Sequence, residues 1–399
     1  MTTVPPMASV PSLFGVPFVF VLFALTLVGI GAFNRRSLEI SVAGFVSILA
    51  VRLIGGEFHW MSHFKQEWAK ATNLFGLLIG FALVADHFEQ SRLPDRLPHL
   101  LPRGARGAFA LLALVWALSG VLDNIAAALI GAAAASRVFT RLHPGYVAAI
   151  VAAANAGGAG SVIGDTTTTM MWIEGVPAAT VLAAYFAAGV ALLLFGGIAA
   201  RQQTRFAELV APSDAKPVDR ARVVVVVASI AALAISNLFG TLWLGARAEA
   251  VPLLALAVWL VLVGAARTRP FNWRVAREAF RAACFLILLV LSASLLPVEA
   301  LPRPTFGTTV ALGFFSSIFD NIPLTKVALV QGGYDWAFLA YSVGFGGSML
   351  WFGSSAGVAV SERLPTVRSV ATWVRHGWHI PLAFLAGHAA LYLVRGWRP

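Results

Sequence analysis

Charge is scarce in this sequence: Asp, Glu, Lys and Arg together make up 12% of 399 residues, about half their share in soluble domains. The single cysteine, Cys284, lies in an apolar run, so no disulfide can form within the chain and the thiol is expected in packed core. Nothing resembles a phosphate-binding loop, a nucleophile triad or a zinc motif, so neither an enzyme activity nor a cofactor is assigned. Continuous basic stretches are missing too. The formal net charge of +11 is scattered between apolar runs that carry 12 Trp and 28 Phe, which sets nucleic acid aside as a partner. The leader 1–12 has no Lys or Arg, and the apolar run 13–33 after it matches a bilayer core rather than a signal peptide, so it reads as a retained span.

Apolar residues are what the chain has in abundance, at 59% with a mean hydropathy of +0.80, and the expected surroundings are a lipid bilayer. Runs near 20 residues bounded by charge predict spans at 13–33, 38–55, 71–88, 144–173, 177–200, 222–241, 249–266, 282–300, 335–361 and 377–395. Two more apolar segments, 107–136 and 305–333, each hold an Asp-Asn step near the middle and loop-forming residues at both ends. Both read as re-entrant hairpins, with a single crossing around a buried Asp as the alternative.

Charge placement decides between them. Let ten spans cross from an outside N-terminus, and let both hairpins return to their own side. Both termini are then outside. Of the 29 Lys and Arg, only Lys65, Lys70, Arg247, Arg303, Arg395 and Arg398 fall outside, while Arg52 and Lys326 sit within apolar segments; the remainder is inside, as the positive-inside rule requires. If 107–136 crossed once, Arg103 and Arg106 would face Arg137 and Arg141 across the membrane. The expected location is a cell membrane of the bacterial inner-membrane kind, with a homodimer as the assembly to test.

The same topology exposes an internal repeat, because each half has three spans, a hairpin and two spans. Ser119-Gly-Val-Leu-Asp123-Asn124-Ile125 aligns with Ser316-Ser-Ile-Phe-Asp320-Asn321-Ile322, and Gly157-Gly158 with Gly164-Asp165 aligns with Gly346-Gly347 and Gly353-Ser354. An odd number of crossings per half inverts the second half. The expected fold is all-α and polytopic: a first inverted repeat over 1–200 (hairpin 107–136, broken helix 144–173), a cytoplasmic linker over 201–221, and a second repeat over 222–399 (hairpin 305–333, broken helix 335–361).

Chemistry is expected where backbone and charge are unusual for lipid. Non-helical backbone is tolerated at that depth only against protein or a water-filled cavity. The segments around Gly157, Gly158 and Gly164, and around Gly346, Gly347 and Gly353, are expected to break their helices and expose half-helix ends that attract ions; close packing of small residues is the plainer reading. Asp123, Asp165 and Asp320 each fall at membrane depth, where a carboxylate costs roughly 2.5–3.5 kcal/mol. A structural carboxylate satisfied by hydroxyls or amides is the alternative for each. With Asn124, Thr166, Thr167, Asn321, Ser316 and Ser354 they offer the oxygen ligands that Na⁺ prefers. A buried carboxylate near a like charge can take up a proton or a metal cation, the physical basis of exchange.

The runs Asn155-Ala-Gly-Gly-Ala-Gly-Ser-Val-Ile-Gly-Asp-Thr-Thr-Thr-Thr-Met-Met-Trp172 and Ser317-Ile-Phe-Asp-Asn-Ile-Pro-Leu324 resemble the NhaD-type sodium/proton antiporters of the ion transporter superfamily. Gly346-Gly-Ser-Met-Leu-Trp-Phe-Gly-Ser-Ser-Ala-Gly-Val358 and Phe75 to Asp86 also look like that family, so the resemblance spans most of the chain. It implies inverted repeats, opposed hairpins, unwound helices and an elevator-like motion. The superfamily also holds citrate, dicarboxylate and arsenite transporters; where the carboxylate transporters' hairpin tips resemble Ser-Asn-Thr, this chain has Asp123 and Asp320. Two departures stand out. Lys326 occupies a small or apolar position of the family and is a candidate counter-ion for Asp320 or Asp165, with snorkelling outward as the alternative. The chain is also short for that family.

The resulting expectation is a secondary active transporter exchanging Na⁺ or Li⁺ for H⁺ by alternating access. A cation-coupled transporter of an organic anion or oxyanion is the alternative, and a non-transporting scaffold is third; the absence of arginine near either tip favours the first. Less weight falls on other polar residues. Asp86, His87 and Glu89 end the third span as interfacial residues or a proton entry. Glu57, His59, His63 and Glu67 share a loop with Trp60 and Trp68 that is expected to lie flat on the outer surface. His376, His379 and His388 lack a clustering partner, and Trp378, Tyr392 and Trp397 read as interfacial anchors.

Overall fold

A computed structural model of the chain describes residues 12–13, 16–33, 36–54, 60–93, 96, 101–207, 217–240, 243, 251–297, 301–319 and 321–399. Asp320, Glu57, His59 and the middle of the linker lie outside the described residues. Beyond one pair of two-residue strands, Ser12–Leu13 and Val16–Pro17, the described fold is helical.

Two groups of helices make up the fold. The first contains α1 (Phe18–Ala32), α2 (Ser37–Ile54) and α3 (Trp60–Gln90), with α10 (Arg220–Phe239), α11 (Leu253–Ala265) and α12 (Trp273–Ser294). Within it, α3 packs on α10, α11 and α12, and α12 also packs on α2. The second group contains α4 (Ala105–Ser119), α5 (Asn124–Val138), α6 (Pro144–Gly158), α7 (Thr166–Ile173), α8 (Ala178–Leu182) and α9 (Ala184–Phe206) from the first half. From the second half it takes α13 (Phe306–Ser316), α14 (Asn321–Gln331), α15 (Trp336–Gly346), α16 (Ser355–Arg363), α17 (Val370–Gly377) and α18 (His379–Arg395). Here α9 joins the halves, contacting α4, α6, α15 and α18.

Helix starts in the second group are written locally. Thr305 and Thr308 form a reciprocal capping box on α13, Pro144 opens α6, and Asp123, Asp165, Asp335 and Ser354 cap α5, α7, α15 and α16 through their side chains. The buried Asp335 carboxylate also accepts from Arg395 Nη2 at 3.1 Å and from the Arg398 amide at 2.9 Å, tying the C-terminal helix to α15.

The centre of this group is formed by α6 and α15. Every residue from Gly145 to Gly158 and from Ala337 to Gly346 is buried, as expected of a helix enclosed by protein on all sides. Small residues are needed there because the hairpins lie directly on these helices. A Cβ at Gly157 would overlap the Trp116 carbonyl oxygen, and one at Gly346 the Gly313 carbonyl oxygen. Likewise Gly164 abuts the Ser119 carbonyl and Gly353 the Ser317 carbonyl. Contacts recur between the halves in the same way: α4 packs on α6 and α13 on α15, while α5 packs on α16 and α14 on α7.

Several expectations change. Trp60 to Trp68 is not a surface loop but the first turns of α3, which runs 31 residues, about 46 Å; no Gly or Pro occurs between Trp60 and Asn73 to end a helix. For the same reason α12 begins at Trp273, inside the expected inner loop. Among the described residues, three helices (37–54, 71–90 and 178–206) are long and apolar enough to cross a membrane alone, and α17 with α18, bent by 54°, makes a fourth. Others, including all four hairpin helices, have 11 to 15 residues, about 16–23 Å, and do not traverse a hydrocarbon core of about 30 Å singly. Trp397 packs on Phe338 at 5.6 Å between centroids. His388 is buried and bonded to Ser342 Oγ at 2.6 Å, and the His376 ring meets that of His143 at 4.9 Å. At the end of the linker, Asp219 receives two hydrogen bonds from Arg269, at 2.9 and 3.1 Å, which hold its carboxyl below the usual carboxylate range.

Candidate functional site

Both hairpins turn beside the breaks in the α6–α7 and α15–α16 helices. The first break, 159–165, is built by a run of hydroxyls. Thr168 Oγ1 donates to the Ser161 and Asp165 carbonyls at 2.5 and 2.9 Å, and Thr169 Oγ1 to the Val162 and Asp165 carbonyls at 2.9 Å each. The bonds to Ser161 and Val162 serve carbonyls inside the break, which buried backbone requires, while the Asp165 carbonyl also accepts the Thr169 amide of α7. The break's end is fixed by Asp165, whose Oδ1 accepts from the Thr167 amide at 3.0 Å. Its other oxygen, Oδ2, lies against Gly344 of the opposite helix, where a Cβ would stand 3.2 Å away.

Asn155, one turn before the first break, joins its own helix to the first hairpin and the second break. Fully buried, it accepts from Asn124 Nδ2 at 3.2 Å at the tip of the first hairpin. Its own amide donates to Ser348 Oγ at 3.0 Å and Ser354 Oγ at 2.9 Å, both in the second break. Sequence reading placed Asn155 only in a break-forming segment; the available signal was one amide in the otherwise apolar stretch Val147 to Ala156. Ser348, similarly, was read only as part of the second break.

A cavity of about 530 Å³ opens beside these groups. The first residues of four helices reach it: Asp123 and Asn124 of α5, Asp165 and Thr166 of α7, Asn321 of α14 and Ser355 of α16. Its opposite wall is the face of α3 from Leu78 to Glu89 and that of α12 from Val275 to Leu286, with Asp86, Glu89 and Glu278 along it. Asp86 is held by Asn272 at 3.0 Å. Asp123 caps α5 through Oδ2, which accepts from the Ile125 amide at 3.1 Å.

The other expected site residues have different places. Ser316 does not line the cavity: its hydroxyl donates to the Val343 carbonyl at 2.8 Å and serves helix packing. Thr167 is buried, and its Oγ1 has no hydrogen-bond partner among the described residues. Ser354 bonds Asn155 and caps α16 through the Gly357 amide at 3.2 Å. Lys326 is only 3% exposed and neither snorkels nor sits on Asp165; its Nζ lies 2.6 Å from Glu174 Oε1, at the far end of α7. Arg363 lines the same cavity as the tip of the first hairpin.

Sodium/proton antiporter 1 of Arabidopsis thaliana is 26% identical over 402 residues, covering 87% of this chain and 66% of its own length. The chain is similar to sodium/proton antiporters. Sodium/proton antiporter 2 of the same organism is 25% identical over 395 residues, covering 87% of this chain and 90% of its own. The chain therefore spans just under two thirds of the first relative's length. No protein-family model matches it. With these relatives and its apolar helices, the chain is an integral membrane protein.

Proposed function

We propose that this protein exchanges Na⁺ or Li⁺ for H⁺ by alternating access, with Asp123, Asp165 and Asp320 as the groups that take up either the proton or the metal cation. The observation that carries the reading is the single cavity reached by Asp123, Asp165 and the starts of four helices. Each helix start presents a partial positive charge of about half an elementary charge. Four uncapped starts would make an anion site. Here Asp123 and Asp165 cap two of them with carboxylates, which offsets the positive helix ends, and the third carboxylate proposed, Asp320, leaves a net negative charge for a cation or proton to neutralise. Amide and hydroxyl oxygens of Asn124, Asn321, Thr166 and Ser355 on the cavity wall suit a hard cation. The resemblance to sodium/proton antiporters points the same way.

The scaffold for this chemistry is two inverted repeats, 1–200 and 222–399, joined by a cytoplasmic linker at 201–221. Support comes from the recurrence of close contacts at matched positions, Gly157 with Trp116 and Gly346 with Gly313. In this arrangement the second helix group moves against the α3 and α12 wall, carrying the site from one side to the other. One observation favours a second reading, cation-coupled transport of an organic anion: Arg363 faces into the cavity.

Protein reconstituted in liposomes with an internal pH dye tests both. Na⁺ or Li⁺ pulses are expected to move protons in the parent and in Arg363→Ala, and not in Asp123→Asn or Asp165→Asn. No response to any cation, with uptake of labelled citrate abolished by Arg363→Ala, would replace the first reading by the second.

A further inference from the structure

The contact between a hairpin helix and a post-break helix occurs twice, α14 on α7 and α5 on α16, and the two contacts differ in charge. Lys326 stands six residues after Asp320 and Glu174 nine after Asp165. At the same steps in the other half stand Leu129, six after Asp123, and Arg363, nine after Ser354. The first contact is closed by an ion pair at 2.6 Å with side chains 3% and 19% exposed. At the second, Leu129 and Arg363 both line the open cavity.

The wall against which these contacts sit shows the same difference. Beside the ion pair, Ala71 and Leu74 of α3 and Val290 and Leu291 of α12 close down to a space of about 20 Å³. Further along the same two helices, from Leu78 to Glu89 and from Leu286 back to Val275, the wall parts from the core to form the 530 Å³ cavity. The α3–α12 wall is close to the core at the end that carries a buried ion pair and apart from it at the end where, among the described residues, none is found.

We infer that Lys326 and Glu174 form a latch that holds hairpin two against α7 and closes one side of the site, so that the state with the opposite side open is favoured. The inference rests on the alternating-access reading above. A buried ion pair suits this role because it is directional and short-ranged: it holds the two elements only at contact distance, and separating buried opposite charges is costly unless water reaches them. Breaking it costs little only if water enters from that side, which couples the latch to opening. Lys326 and Glu174 are positioning residues, acting on the site through hairpin two and α7. The equivalent Leu129 and Arg363 cannot form a pair, which leaves their side without a latch.

Thiol accessibility of the full chain in lipid nanodiscs tests the latch without reference to the transported ion. In a Cys284→Ser background, Leu74→Cys reports the closed end and Ala82→Cys the open cavity, with a water-soluble maleimide as probe. The parent is expected to label fast at position 82 and slowly at 74. Lys326→Gln or Glu174→Gln should raise labelling at 74 by about tenfold or more, since each removes the 2.6 Å ionic contact between hairpin two and α7, and slow it at 82 as the population shifts. The exchange Lys326→Glu with Glu174→Lys, and separately Lys326→Arg, should restore the parent pattern. Unchanged labelling in the neutralised variants overturns the latch; so does a Lys326→Arg variant as open as Lys326→Gln. General unfolding would instead raise labelling at both positions and lower the melting temperature. Should labelling shift as expected in a protein with no cation-driven proton flux, the exchange reading fails and the latch stands.

Discussion

Around the first break the chain carries Asn155 and Asp165; at the matching positions around the second it carries Gly344 and Ser354. The backbone does the same thing in both places, ending a fully buried helix at a glycine pair and restarting it on a side-chain cap. Side chains then divide the work. Asn155 reaches across to Ser354, and Asp165 lies against Gly344, so each polar group of the first break sits in space that the second leaves for it. With Asn and Asp in both breaks, each of these contacts would join an amide to a carboxylate, and the breaks would bury two carboxylates instead of one. The asymmetry gives one carboxylate and one amide hub in a site shared by both halves.

Making the first break chemically like the second is the severest test. Asp165→Ser keeps a good helix cap, so stability should fall by no more than about 1 kcal/mol, while cation-driven proton flux in liposomes should drop to the protein-free background. Next comes the hub. Asn155→Ala strands Asn124, Ser348 and Ser354, and the loss of three buried hydrogen bonds should cost about 2–4 kcal/mol, read as an earlier thermal transition in detergent; Asn155→Asp, which keeps the shape, should lose less. Gly344→Ala places a methyl 2.9 Å from Ala159 Cβ and 3.2 Å from Asp165 Oδ2, and overpacking of this kind costs about 1–3 kcal/mol. Its control is Gly189→Ala in α9, where a Cβ meets nothing within 4 Å and a gain of roughly 0.5–1 kcal/mol is expected. Smallest is Ser354→Ala, which removes a cap and one of the hub's bonds at about 1–2 kcal/mol; a flux loss as deep as that of Asp165→Ser would make the two breaks equal partners and defeat the comparison.

Legibility followed locality. Gly157, Gly158 and Gly164 stand at the ends of the first break and Gly346, Gly347 and Gly353 at those of the second, because a missing side chain in a long apolar run is visible without knowing its neighbours. Asp123, Asp165 and Ser354 are caps for an equally local reason, each bonding an amide two or three residues on. Helix ends read from hydropathy were less faithful: α3 and α12 run past the lipid-like segment, since polarity ends the apolar stretch while only Gly, Pro or a cap ends the helix. Ser316 looked like a ligand because hydroxyls beside an Asp-Asn step suit a cation, yet its partner is the carbonyl of Val343, on a different helix.

By itself the sequence determined that the chain is apolar enough for lipid, that it repeats an Asp-Asn step and a glycine-marked break, and that carboxylates lie in segments where charge is costly. All of these are properties of residues and their near neighbours. Tertiary structure alone decided that Asn155 answers to Ser354, 199 residues away, and Lys326 to Glu174, 152 away. It also decided that Asp123 and Asp165 share one cavity against α3 and α12. The physical reason is that a hydrogen bond or ion pair acts over about 3 Å, and which distant groups come that close is set by the packing of whole helices.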